Sequence, residues 1–77
     1  MGDSWVEGYL LDRFIPLHQW REWLNTDEAL EWLYKVARTE ERENGLKEGA
    51  INRAEIVDWE INDKGLVYLA WVRFHVE

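Results

Sequence analysis

The thirteen residues from Gly65 to Glu77, GLVYLAWVRFHVE, constrain this chain more than any others. Extended, they place Leu66, Tyr68, Ala70, Val72, Phe74 and Val76 on one face, and Val67, Leu69 and Trp71 on the opposite face. A strand that is apolar on both faces needs cover on both, and 77 residues hold little else with which to supply it. The stretch therefore bears on partners as much as on fold.

The rest of the chain reads as one small domain, residues 1–77, of α+β class. Ser4 to Ile15 is rich in aromatic and aliphatic residues and ends at Pro16, which marks an extended strand, with Gly8 as a candidate bulge. Pro16 suits the first turn of a helix, and Leu17, Trp20 and Leu24 recur at helical spacing after it. Asn25 or Thr26 can cap a longer helix whose first turn carries Asp27 and Glu28, and whose inward stripe is Ala29, Leu30, Leu33 and Ala37. Beyond Thr39 the run TEEREN is wholly polar and is expected to project into solvent, with Asn44 and Gly45 as the stop.

Ala54 to Ile61 and Leu66 to Val76 form a hairpin around Asn62-Asp63-Lys64-Gly65. Two registers compete. A type I turn with a glycine bulge sets Trp59 opposite Leu69, Val57 opposite Trp71 and Glu55 opposite Arg73; a plain four-residue loop sets Trp59 beside Tyr68 and Val57 beside Ala70. The turn residues and the Glu55/Arg73 charge match favour the first. The expected architecture is thus β-α-β-β: a three-stranded, mainly antiparallel sheet on one long helix plus a short helical segment.

In the bulged register Val57, Trp59, Val67, Leu69 and Trp71 share the face that the long helix does not cover, which makes them the candidate interface and predicts a homo-oligomer or a protein partner. The net charge of −7, from 16 acidic and 9 basic residues, repels a phosphate backbone, so direct nucleic-acid binding is not expected and a protein partner with a basic surface is. Glu40, Glu41 and Glu43 on the helix, with Asp58 and Glu60 on the strand, are the acids most available to it.

Chemistry is thinly provided for. Ser4, Thr26 and Thr39 have no nucleophile signature, and His18 and His75 lack metal-ligand spacing, so neither catalysis, nor a metal, nor a cofactor is expected. The absence of cysteine excludes disulfides and thiolate zinc sites and fits a cytoplasmic setting, and no apolar run is long enough to span a membrane. The rival reading is a small-molecule site walled by Trp20, Trp23 and Trp32, three of the six tryptophans, with Glu22 or Glu28 beside them for a planar or cationic ligand. Short acidic cysteine-free domains without a catalytic signature are a type that viruses and mobile elements use to inhibit host machinery. A non-enzymatic protein-binding module of that kind is the function this composition favours.

Overall fold

The doubly apolar strand lies in the middle of the sheet. A computed structural model describes residues 2–77, with β1 (Asp3–Pro16), α1 (Leu17–Leu24), α2 (Asp27–Glu43), β2 (Ile51–Ile61) and β3 (Leu66–Val76) in chain order. The sheet order is β1-β3-β2 and both pairings are antiparallel, which makes this a small α+β fold. Val67, Ala70, Val72 and Phe74 of β3 are wholly buried, as a central strand allows.

Local chemistry explains most element boundaries. Thr26 caps α2 by accepting the Ala29 N–H at 3.3 Å, while its own hydroxyl donates to the Trp23 carbonyl at 2.6 Å. Gly45, at φ +67°, ends the helix: its N–H bonds the Arg42 carbonyl and the Leu46 N–H bonds that of Glu41, a Schellman stop. In the hairpin Gly65 takes φ +76°, and the Asn62 side chain accepts the N–H groups of Lys64 and Leu66. Gly8 is not a bulge. It pairs with Trp71, and β1 leaves its regular ladder between Leu10 and Ile15 instead.

Both helices cover the same side of the sheet. Trp20 of α1 stacks on Trp23 at 5.1 Å and meets Trp59 of β2 at 5.6 Å, while Ala29, Trp32, Val36 and Ala37 of α2 join the same core as Phe74 and Val72. The second face of the sheet has no helix over it.

The polar end of α2 does not project into solvent as its composition suggests, because Glu40 and Glu41 are buried, at 4% and 1% exposure. Glu40 accepts the Trp5 indole N–H at 2.6 Å, the Tyr9 hydroxyl at 2.5 Å and an Asn44 side-chain N–H at 3.0 Å, which ties α2 to β1. Burial, and then the hydrogen bond to Glu40, push the Tyr9 hydroxyl pKa well above its ordinary value. Glu41 takes a two-pronged pair from Arg38, at 2.7 and 3.0 Å, and the backbone N–H groups of Gly49 and Ile51, at 3.1 and 2.8 Å. It thereby fixes the loop that leads into β2.

Desolvation of the Glu41 carboxyl raises its pKa, but the Ile51 N–H, the Arg38 guanidinium and the Gly49 N–H outweigh it and hold the group below the usual range. A carboxyl lowered on folding contributes stability that is complete above its unfolded pKa, about 4.3, and is lost as pH falls through the lower folded value. Glu41→Gln is therefore expected to lower unfolding free energy by about 2–3 kcal/mol at neutral pH. It should also flatten the acid limb of the stability profile; thermal unfolding from pH 7 to pH 3 measures both effects.

Candidate protein-docking face

The side of the sheet left open is sorted by two irregularities that cancel. The β2–β3 register matches the expected one from Arg53 to Ile56, with Glu55 opposite Arg73, and again beside the turn, with Ile61 opposite Val67; a further shift falls between Ile51 and Arg53 at the far end. Between them it is shifted by one residue, pairing Asp58 with Trp71, Trp59 with Ala70 and Glu60 with Leu69. Val57 is the extra residue on β2 and Tyr68 the extra residue on β3.

This shift exchanges faces, because neighbouring strand residues point to opposite sides. Trp59 turns under the helices against Trp20, and Val67 is likewise core at 0% exposure, so neither belongs to the open face where the sequence places them. Leu69 and Trp71 do lie there, half-buried, and Val57 sits at the bulge with 40% exposure. Asp58 and Glu60, expected on the opposite face, stand beside Trp71 and Leu69 as their pairing partners. The structure thus joins two candidate sets, the apolar pair and the acidic pair, on one surface.

Strand β1 supplies the rest. Val6 pairs with Arg73, Gly8 with Trp71 and Leu10 with Leu69, so β1 and β3 together carry an apolar strip in which Leu10 is 69% and Val6 40% exposed. Close approach favours glycine at position 8: a Cβ there would fall 3.0–3.2 Å from carbons of the Trp71 ring, which would have to give by a few tenths of an ångström. The ring lies over the glycine and its indole N–H donates to Glu60 at 3.0 Å, which holds the aromatic centre of the face in one orientation. Toward the far end Glu55 accepts from His75 at 3.0 Å and pairs with Arg53 at 3.3 Å. His75, then Arg53, hold the Glu55 carboxyl below its ordinary pKa.

The other candidate residues, Glu43 excepted, are buried in the domain. Glu40 and Glu41 are internal ties, so of the three helix acids only Glu43 is exposed, 3.2 Å from the Tyr9 hydroxyl. Trp20, Trp23 and Trp32 are 1%, 7% and 5% exposed and pack on one another, which spends their ring faces on the core. Trp23 and Trp32 do touch a cavity of about 110 Å³ beside Glu28, flanked by the surface pairs Arg13–Glu28 and Lys35–Asp12. It is smaller than the few hundred Å³ typical of ligand pockets. The indole nitrogens of Trp20 and Trp23 have no hydrogen-bond partner among the described residues. No group of three or more His, Asp or Glu residues among those described could hold a metal ion, and no helix is long and apolar enough to cross a membrane.

No protein-family model, curated protein or solved structure matches the chain. Nothing in the sequence places Val6, Gly8 and Leu10 on this face; their alignment with Trp71 and Leu69 depends on the β1–β3 register. Substituting one core residue and one face residue separates their roles. Trp20→Ala is expected to cost about 3–5 kcal/mol of stability, whereas Leu10→Glu on the open face should change it by less than about 0.5 kcal/mol, as measured by urea unfolding.

Proposed function

We propose that this domain is a non-enzymatic protein-binding module that docks, through the uncovered face of its sheet, onto a basic surface of a partner protein. The observation that carries this reading is the strip Val6, Leu10, Leu69 and Trp71 on a face that neither helix covers, with Asp58 and Glu60 along its margin. Water-facing sides of antiparallel sheets are ordinarily polar, and an apolar strip centred on a fixed tryptophan has the anatomy of a binding surface. The neighbouring carboxylates select a partner whose apolar contact is rimmed by lysine or arginine, and the net charge of −7 steers such a partner toward the domain.

Basic surfaces with apolar contacts are the ones nucleic-acid-binding proteins present to phosphate. An acidic module seated there would displace the nucleic acid, as an inhibitor of the viral or mobile-element type that imitates nucleic-acid charge does. The proposed place of action is the cytoplasm, where a cysteine-free chain loses nothing to reduction.

The test is capture from a cell lysate on immobilised protein, with mass spectrometry, repeated with Leu10→Glu and with Asp58 and Glu60 both changed to lysine. A stoichiometric basic protein should be retained by the original chain and lost with Leu10→Glu. It should be weakened by the lysine changes and by rising salt, since exposed charges are screened within about 8 Å at physiological ionic strength. Retention of the same protein by all three would contradict the assignment of this face.

A further inference from the structure

The apolar stripe of α2 is wider than the sheet beneath it. Leu30 and Tyr34, one helical turn apart, are 64% and 62% exposed, while Ala29 and Leu33 beside them pack into the core. A groove of about 220 Å³ runs below the pair, between Leu30, Leu33 and Tyr34 on the helix and Asn52 to Ala54 on β2. The sheet order leaves β2 at an edge, so its outer backbone groups have no strand partner. A further strand laid along that edge would run beneath Leu30 and Tyr34 and bury them.

The edge itself indicates which strand fits. Arg53-Ala54-Glu55 is a charge palindrome about Ala54. When two such strands pair antiparallel with Ala54 opposite Ala54, each Arg53 falls opposite the Glu55 of the other copy. Opposite charges directly across a ladder stabilise it, and like charges destabilise it. Arg53 and Glu55 already lie 3.3 Å apart on one face of β2, with side chains 68% and 35% exposed, so either can turn to a partner without leaving the core unpaired.

We propose that β2 pairs with β2 of a second copy, which makes one continuous six-stranded antiparallel sheet across a two-fold axis. In this arrangement Leu30 and Tyr34 from the two α2 helices close over the junction. The contact is self-complementary, as a two-fold interface must be. It leaves the apolar strip of Val6, Leu10, Leu69 and Trp71 uncovered and sets two such strips side by side on one surface. The pairing stands independently of the partner-docking reading.

Sedimentation from low to high micromolar concentration tests it on the full chain. The original protein should dimerise. Arg53→Glu, which places glutamate opposite glutamate twice, should weaken the dimer by at least about tenfold. The exchange R53E with E55R should restore it, because the palindrome is then reversed but still self-complementary. Leu30→Glu should also dissociate the dimer, and Leu10→Glu should leave it unchanged, with thermal unfolding to verify that each variant is folded. A monomer at every concentration would overturn the proposal. So would a dimer indifferent to Arg53→Glu, a folded exchange variant that remains monomeric, or a dimer lost only with Leu10→Glu, which would move self-association to the open face.

Discussion

The molecule depends on a pair of compensating bulges. With Val57 added on β2 and Tyr68 on β3, the two strands keep one register at Ile61 and from Ile56 to Arg53 and run one residue out of it between. The middle segment decides which side chains are inside, since a one-residue slip sends every side chain to the other face. Trp59 reaches Trp20 and completes the core, and Asp58 and Glu60 are carried to the open side beside Trp71 and Leu69. Without the two extra residues a tryptophan would stand in solvent and two carboxylates would lie under the helices, where unpaired charge is costly.

The second structural device is the use of carboxylates as internal ties. Glu40 gathers Trp5, Tyr9 and Asn44, and Glu41 gathers Arg38 and two backbone N–H groups at the start of β2. Adjacent residues on one helix thus hold opposite edges of the sheet, Glu40 the β1 side and Glu41 the β2 side. Both helices are kept on one face as a result, and the other face stays open. The acidity of the chain therefore has two uses that net charge alone does not distinguish: scaffold at Glu40 and Glu41, surface at Asp58 and Glu60.

What could be read from the sequence was set by short-range chemistry. The caps at Thr26 and Gly45, the turn at Asn62–Gly65, the number of strands and the Glu55/Arg73 pairing follow from residues a few positions apart or from a single charge match. The bulges do not, since Val57 and Tyr68 are ordinary strand residues and no glycine marks either site. The burial of Glu40 was equally invisible, because its donors Trp5 and Tyr9 are 35 and 31 positions away. The tryptophans around α1 suggested a ligand site for the same reason: whether an indole walls a pocket or fills a core depends on what the sheet brings to it, here Trp59. Val6, Gly8 and Leu10 gained their place on the open face only through pairing with β3.

The sorting of side chains by the paired bulges is tested most directly by proton cross-relaxation in solution. Contacts are expected between the ring protons of Trp59 and Trp20, and, as a check on the β1–β3 register, between the ring of Trp71 and the α-protons of Gly8, which should be shifted upfield by the indole above them. Contacts from Trp59 to Leu69 and Trp71, in place of those to Trp20, would show an uninterrupted β2–β3 register and contradict this sorting.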